Sequence, residues 1–266
     1  MRRTLTVAAT IAAALIGAGL APAQTGDVHI DGSGHPNVGA LLVARSDGSL
    51  DIVCSGTLVS RRVFLTAGHC TDYLLSLGQG TAYVTFDPNF GTDAAHDIFA
   101  TPYHGTIHQN PNYKKPYHND TGIVLLDTPV TDIAAATIAP RHFLDGFSSK
   151  ELDGLVYTNV GYGTSEKVVV KASGPTFPFD GIRKWTISGF HALNPEVIHL
   201  DQSLARGLSG TGYGDSGGPT FVDTRTGPIV ISVVSSGDVP CYSTSTDQRV
   251  DSDDAQDFLA PFLSLN

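Results

Sequence analysis

The chain has few basic residues for its length: 16 lysines and arginines stand against 26 aspartates and glutamates in 266 residues. Two of the arginines, at positions 2 and 3, lie in a leader that we expect to be removed, which leaves a formal charge of −12. A strongly acidic surface repels the phosphates of nucleic acids and of anionic membranes. We therefore expect neither nucleic acid nor a membrane among the partners of this protein.

Long apolar runs are also scarce in the sequence. The run Leu5–Leu20 follows the basic segment Met1–Arg3 and precedes Ala21–Ala23, which has the A-x-A form of a cleavage site. This arrangement predicts a secretory signal peptide over residues 1–23 and an extracellular mature protein. The run is too short and too rich in alanine for a membrane span. The residues that flank the arginine pair give little support to the alternative of twin-arginine export.

Cysteine is rare as well, with only Cys54, Cys70 and Cys241 in the whole chain. Three cysteines allow one disulfide bond within the chain and leave one residue over. Secretion would permit such a bond.

Ten β-prone runs, separated by clusters of Gly, Pro, Asn and Asp, dominate the roughly 240 residues after the leader. This pattern favours an all-β sandwich or a pair of barrels within one large domain or two small ones. The predicted strands are Ala40–Ala44, Gly56–Ser60, Val63–Thr66, Ala82–Phe86, Gly122–Leu126, Leu155–Tyr162, Lys184–Phe190, Val197–Leu200, Pro219–Val222 and Ile229–Ser235.

One helix is predicted, at the C-terminal end of the chain. Ser252 can cap it, and acidic residues follow where the positive end of the helix dipole favours them. Phe258 and Leu259 recur as Phe262 and Leu263 at four-residue spacing. Pro261 is expected to end or kink this helix.

Two groups of potential metal ligands were weighed, and no metal is expected at either. The sequence around the aspartates lacks the glycine and the bidentate glutamate of a calcium-binding loop, so capping of the helix is the favoured interpretation. Nothing in the spacing of the histidines demands zinc, and solvated loop histidines are favoured. These residues are Asp251, Asp253 and Asp254 in the first group, and His104, His108 and His118 in the second.

The segment Gly214–Pro219 reads G-D-S-G-G-P and sets one serine among residues too small to crowd a substrate. Glycines on both sides suit a tight loop whose backbone N–H groups point into a cleft. Such a loop makes chemical sense if Ser216 is a nucleophile beside a hole for a developing oxyanion. Taken alone, the same segment is equally typical of a glycine-rich turn.

Two upstream segments offer partners for this serine. Thr66–Cys70 reads T-A-G-H-C and supplies a base at His69, which by itself is as well explained as a core histidine. Asp120 precedes the apolar run Ile123–Leu126 and offers a buried carboxylate, although alone it is a turn residue. Two competing aspartates precede no such run: Asp93 and Asp97. The three segments together favour a nucleophile, a base and an orienting acid.

Together the segments resemble the chymotrypsin (trypsin-like) family of serine proteases, and the resemblance covers about Gly39 to Leu263. The order His, Asp, Ser and the spacings of 51 and 96 residues are similar to those of the family. Val233–Gly237 resembles the strand that lines its substrate cleft, and Gln248–Asp251 leads into a final helix as expected.

The resemblance implies a role for each of these residues. Ser216 would attack the scissile carbonyl of a polypeptide, and His69 would take its proton and later give it to the leaving amine. Asp120 would fix the tautomer of the ring, and the N–H groups of Gly214 and Ser216 would form the oxyanion hole. No cofactor or metal is implied, and a monomer is expected.

The resemblance also implies the architecture. The expected fold is all-β, with two six-stranded antiparallel β-barrels, a C-terminal helix and the active site between the barrels. Residues 24–135 would form the first barrel with His69 and Asp120, and residues 136–266 the second with Ser216. Cys54 and Cys70 match the family's bridge beside the histidine. Cys241 would keep a free thiol, because Gly212 stands where its usual partner is expected.

The chain departs from the family at the specificity pocket. Gly210 stands six residues before the serine, where trypsin-like enzymes carry an aspartate. A pocket without that anion holds lysine or arginine poorly, because the cation would be desolvated unpaired. The predicted substrate-binding residues are Gly210, Thr211, Ser235 and Gly237. We expect a preference for an apolar or small residue, with Asp238 as the one feature able to restore basic selectivity.

Activation is a second departure. Many relatives pair a new N-terminus with the aspartate before the serine, here Asp215. The chain has no basic cleavage site before an Ile-Val-Gly-Gly-like start, and His29–Gly32 is a weak substitute. An internal partner for Asp215 is therefore expected, although the sequence does not identify it.

Two other functions remain open on the sequence alone. A catalytically silent relative acting as a binding protein would keep the fold, but such proteins usually lose a member of the triad. An esterase would use the same chemistry on the same fold.

Overall fold

A computed structural model describes Gln24 and residues 26–90, 102–164, 168–170, 174–176, 180–238 and 241–265. The predicted leader and the competing aspartates Asp93 and Asp97 lie outside the described residues. Strands dominate the described chain. They are β1 (His29–Ile30), β2 (Val38–Ala44), β3 (Leu50–Ser60), β4 (Val63–Thr66), β5 (Thr81–Thr85), β6 (Tyr103–Gln109), β7 (Gly122–Leu126), β8 (Thr137–Ile138), β9 (Tyr157–Gly161), β10 (Val168–Val170), β11 (Gly174–Thr176), β12 (Lys184–Leu193), β13 (Val197–Asp201), β14 (Pro219–Thr224), β15 (Gly227–Gly237) and β16 (Thr244–Arg249).

The first barrel closes in the order β2-β3-β4-β7-β6-β5, and all of its pairs are antiparallel. Its interior is apolar, because the inward-pointing residues of its strands form one cluster of buried hydrophobic side chains. Leu41, Leu58, Phe64, Val84 and Val124 are among the buried residues that fill it.

The second barrel closes in the order β9-β12-β13-β16-β15-β14, with β14 returning to β9. These six strands are also antiparallel, while β1 adds to the edge of β12 and β8 pairs in parallel with β15. Tyr157, Leu200 and Val233 lie in its core. The predicted fold of two six-stranded antiparallel barrels is confirmed.

Of the twelve barrel strands, the prediction missed β6 and β16, because neither carries an apolar run. The short strands β1, β8, β10 and β11 were not predicted either. The sequence of β16 is T-S-T-D-Q-R, yet it pairs on both sides, with β13 and with β15. Its buried Asp247 accepts hydrogen bonds from Ser245, Thr220 and Ser232. A polar strand is tolerated in the barrel because its buried groups are paired.

The described chain has three α-helices: α1 (Gly68–Ser76), α2 (Ser149–Asp153) and α3 (Asp253–Leu263). The predicted C-terminal helix is α3, and the Ser252 side chain accepts from the N–H of Ala255 as an N-cap. The helix runs two residues past Pro261. Helix α1 was not predicted, although it carries His69.

The two barrels share one apolar layer and several polar contacts. Val38, Leu65 and Ile123 of the first barrel belong to the same buried cluster as Val233 and other residues of the second. A polar link also crosses this layer, since Ser55 of β3 donates its backbone N–H to the carbonyl of Ser216 at 2.8 Å. The relative position of the barrels is therefore fixed where the candidate site lies.

Candidate active site between the two barrels

His69 and Asp120 form a tightly held pair in the first barrel. Strand β4 pairs Thr66 with Gly122 of β7, which brings the start of α1 beside the residues before β7. The Asp120 carboxylate accepts the backbone N–H of His69 at 2.7 Å and contacts the ring Nδ1 at 2.8 Å. A carboxylate can only accept here, so Nδ1 carries the hydrogen and Nε2 of the neutral ring is left as an acceptor.

Asp120 is fully buried and also bound from the second barrel. The hydroxyl of Ser235 donates to Oδ2 of Asp120. The backbone N–H of Asp120 donates to Oε1 of Gln248 at 2.9 Å. Sequence reasoning assigned Ser235 to substrate binding and did not single out Gln248. Both contacts orient the acid behind the histidine, across the junction of the barrels.

The serine loop is held in a shape that requires glycine. Gly214 and Gly217 have φ values of +96° and +78°, in the region that residues with a side chain rarely adopt. A Cβ on Gly217 would also lie 2.1 Å from Oγ1 of Thr66. The loop is therefore packed directly against the segment that leads to His69.

Ser55 of β3 holds this loop from the first barrel. Its hydroxyl donates to the carbonyl of Gly214 at 2.9 Å, and its N–H donates to the carbonyl of Ser216. No sequence motif marked Ser55. The N–H groups of Gly214 and Ser216 make no hydrogen bond to another group of the described chain.

His69 and Ser216 line one cavity of about 400 Å³. The Sγ of Cys70 lies 3.6 Å from Nε2 of His69 and 3.8 Å from the carbonyl oxygen of Ser216. Cys70 is disulfide-bonded to Cys54, as the resemblance implied. The other lining residues are Tyr117, Gln202, Thr211, Gly212, Tyr213, Val234, Ser235, Ser236, Gly237, Asp238 and Cys241.

The family model for Trypsin matches residues 30–253 of the chain. The chain belongs to the trypsin family of serine proteases. It is 27% identical over 225 residues to "Serine protease ea" of Drosophila melanogaster, a match that covers 74% of this chain and 56% of that protein. It is 29% identical over 181 residues to "Brachyurin" of Leptuca pugilator, covering 62% of this chain and 69% of that protein.

In this trypsin-family chain Gln202 lines the cavity, and no feature of the sequence indicated that position. Gln202 is 1% exposed, and its Oε1 accepts the N–H of Thr211 at 2.9 Å. A Cβ on Gly210 would lie 1.9 Å from the same oxygen. Of the predicted substrate-binding residues, Thr211, Ser235 and Gly237 line the cavity, whereas Gly210 is covered by the Gln202 side chain.

Asp238 is the anionic residue that lines the cavity, and backbone groups already bind its carboxylate. Burial acts to raise its pKa, but the N–H groups of Thr244, Tyr242 and Ser243 outweigh burial and hold the pKa below its ordinary value. The Gln202 side chain adds a further hydrogen bond. A carboxylate with four donors has little capacity left for a substrate cation.

Cys241 keeps its thiol, is buried and lines the same cavity. Its φ of +59° is unusual for a residue with a side chain. A buried cysteine therefore forms part of the pocket wall.

The histidines and aspartates weighed as metal ligands have different partners. His104 contacts Asp127 at 2.7 Å, His118 contacts Glu196 at 3.4 Å, and His108 packs on the ring of Phe262.

The three aspartates also have separate partners. Asp251 binds Arg249, Asp253 binds Arg141, and Asp254 binds Asn110 and Asn112. Among the described residues, the group close enough to share an ion is Cys54, His69 and Cys70, and its two sulfurs form the disulfide.

Asp215 lies behind the serine loop and is 1% exposed. Its carboxylate accepts the N–H groups of Gly163 and Gly212, each at 2.8 Å. The side-chain amide of Gln24 donates to both carboxylate oxygens, at 2.8 and 3.0 Å. Burial raises the pKa of this carboxyl to about 6, although the hydrogen bonds oppose the rise. The sequence left the internal partner of Asp215 unidentified, and the structure gives Gln24.

Proposed function

We propose that this chain is a secreted serine endopeptidase that hydrolyses polypeptides through an acyl-enzyme intermediate. One observation carries the proposal: the ring of His69, fixed by the buried Asp120, lines the same cavity as Ser216. Membership of a protease family supports the reaction class. The catalytically silent alternative is not favoured, because each group that the chemistry requires is present.

The reaction would begin with attack of the Ser216 hydroxyl oxygen on the carbonyl carbon of the scissile bond. As the C–O bond forms, the hydroxyl proton passes to Nε2 of His69, and the carbonyl electron pair becomes an oxyanion. The N–H groups of Gly214 and Ser216 would bind that oxyanion. Collapse expels the amine, which takes the proton from Nε2, and leaves an ester on Ser216.

Hydrolysis of the ester repeats the sequence with water. His69 removes a proton from the water as its oxygen attacks, and returns the proton to Ser216 when the acid product leaves. Asp120 would stabilise the imidazolium that forms twice in each cycle. The balance needs only peptide and water, so no cofactor is invoked.

The pocket favours an uncharged residue before the scissile bond. A lysine or arginine would meet the amide of Gln202 and an Asp238 carboxylate whose donors are already in place. Burial of a cation without a free counter-charge is costly. We infer selectivity for an apolar or small residue at this position. We also propose that the chain acts as a monomer outside the cell.

Within the described residues, no helix is long and apolar enough to cross a bilayer. The proposed extracellular location is supported by the leader pattern and by the disulfide bond.

A library of peptides with each residue type before the scissile bond tests activity and selectivity together. Cleavage after apolar or small residues, abolished by Ser216→Ala, is expected. Cleavage after lysine or arginine alone would overturn the selectivity, and no cleavage by the intact chain would overturn the peptidase assignment. Matched ester substrates are the check on the esterase alternative, which predicts turnover of esters only.

A further inference from the structure

We propose that Gln24 is a positioning residue that holds the serine loop through its side-chain amide, so that the site forms without a free amino terminus at Asp215. The inference rests on the proposed function, because its readout is peptidase activity. Gln24 would act through Asp215 and would not touch the substrate.

Asp215 is well placed to set the shape of the loop. It lies between Gly214 and Ser216 in sequence, so the two N–H groups proposed to bind the oxyanion belong to its immediate neighbours in the chain. Its side chain is anchored to Gly163, at the end of β9, and to Gly212, at the start of the loop. A displacement of this carboxylate would therefore move the nucleophile and the proposed oxyanion donors together.

Gln24 is built into this anchor. It is 2% exposed, its Nε2 bridges both oxygens of Asp215, and its backbone N–H donates to the carbonyl of Thr164 at 2.9 Å. The N–H of Thr164 in turn donates to the carbonyl of Tyr213 at 2.9 Å. Gln24 thus reaches the loop by two routes, one through its side chain and one through its backbone.

The direct donors to the Asp215 carboxylate are uncharged amides, as far as the described residues extend. The nearby Lys184 ammonium donates instead to Asp180 at 2.5 Å and to the carbonyl of Gly163 at 3.4 Å, and it acts on Asp215 only through space. Oε1 of Gln24 is buried and has no hydrogen-bond partner among the residues that the structure describes. The amide is therefore oriented for the carboxylate, because the flipped orientation would place two acceptors against each other.

The backbone nitrogen of Gln24 is a peptide nitrogen in the full chain, and it uses its single hydrogen on Thr164. Residues upstream of Gln24 are therefore compatible with the contact. Removal of the predicted leader would itself leave Gln24 at the N-terminus. The proposal differs from a mechanism in which a freed ammonium group pairs with Asp215 by the donor, which is the side-chain Nε2, while the backbone nitrogen donates to Thr164.

The first test compares three purified chains: the wild type, Gln24→Glu and Gln24→Ala. Gln24→Glu keeps the size of the side chain but sets a second carboxylate against Asp215. We expect kcat to fall about tenfold or more with KM nearly unchanged, and Gln24→Ala to show a smaller fall. Gln79→Glu is the matched control. Gln79 also makes two side-chain hydrogen bonds, both to Ala44 in the first barrel, and its loss should leave kcat unchanged.

The second test compares a chain that begins at Gln24 with one that carries two additional residues, Gly-Ser, before it. We expect equal kcat within about twofold, because a peptide nitrogen serves as well as a terminal one. An inactive extended chain beside an active Gln24-initiated chain would overturn the proposal in favour of a terminal ammonium. Wild-type activity of Gln24→Glu would overturn it as well. Thermal unfolding of each variant separates loss of folding from loss of positioning, and an inactive wild type would instead count against the peptidase assignment.

Discussion

Asp120 and Asp215 are both buried carboxylates of the candidate site, and their sets of hydrogen-bond donors differ. Asp120 accepts from the backbone and ring of His69 and from the hydroxyl of Ser235. Asp215 accepts from backbone and side-chain amides of Gln24, Gly163 and Gly212. The first therefore acts on a ring that changes its charge during the proposed reaction, whereas the second fixes the shape of a backbone loop. In our proposal the same residue type serves proton transfer in one region and geometry in the other.

The strongest way to break this comparison is Asp120→Asn. The amide keeps the size of the side chain but can donate to Nδ1, which would favour the wrong ring tautomer. We expect kcat to fall about ten-thousand-fold with little change in thermal stability. Steady-state kinetics with the preferred peptide measures the effect.

The matched control for this change is Asp127→Asn. Asp127 contacts the ring of His104 at 2.7 Å, in an exposed pair outside the cavity. Its kcat should match that of the wild type. Equal activity of Asp120→Asn and the control would contradict the role of Asp120.

A second, smaller effect is expected from Asp215→Asn. One amide oxygen would replace two carboxylate oxygens, although Gln24, Gly163 and Gly212 all donate to this side chain. The loop would loosen, and we expect kcat to fall about a hundredfold, as for loss of an oxyanion donor. If instead the fall matched that of Asp120→Asn and the ring titration of His69 also changed, the division of roles would be wrong.

The same variant gives a pH test of stability. The folded-state pKa of Asp215 is raised to about 6 from 3.8, so its contribution to stability is present below pH 3.8 and is lost as the pH rises through 6. Relative to Asp215→Asn, the wild type should lose about 3 kcal/mol of unfolding free energy between pH 3.8 and 7. Denaturant unfolding of both proteins at several pH values measures the difference. If the wild type instead gained unfolding free energy relative to Asp215→Asn as the pH rises, the folded state would favour the ionised form of Asp215.

Ser235→Ala tests the smaller contribution of the second barrel to Asp120. The change removes one hydrogen bond to the carboxylate but leaves both contacts with His69. A hydrogen bond to a charged group contributes about 1.5–3 kcal/mol, so we expect at least about a tenfold fall in kcat. A rise in KM alone would return Ser235 to the substrate-binding role predicted from the sequence.

The smallest effect concerns selectivity. Gly210→Asp alone should not create cleavage after lysine or arginine, because the Gln202 side chain occupies the space beside Gly210. Gly210→Asp combined with Gln202→Gly should raise the ratio of basic to apolar cleavage about fivefold. Competition between two peptides that differ only at this residue measures the ratio. If Gly210→Asp alone cleaved after lysine or arginine, the Gln202 side chain would not block access to position 210.

Local signals in the sequence predicted ten of the strands and the segments that carry His69 and Ser216: β-prone runs, turn residues and a glycine-rich serine loop. The paired barrels were implied by the resemblance to a family, because the local pattern fits a sandwich equally well. Strand β16 was missed because its pairing depends on neighbours far along the chain and its buried groups are polar. Ser55, Gln202 and Gln24 were missed for the same reason, since each is an ordinary polar residue whose role comes from a contact across the fold.

The proposed reaction depends most directly on Ser216 being an activated nucleophile beside His69. Reaction of the intact chain with a serine-directed phosphonate, followed by mass spectrometry of the digested protein, tests this claim. One adduct on the peptide that contains Ser216 is predicted, absent in Ser216→Ala and formed far more slowly in His69→Ala. An unlabelled wild-type chain, or labelling at the same rate in His69→Ala, would contradict the account.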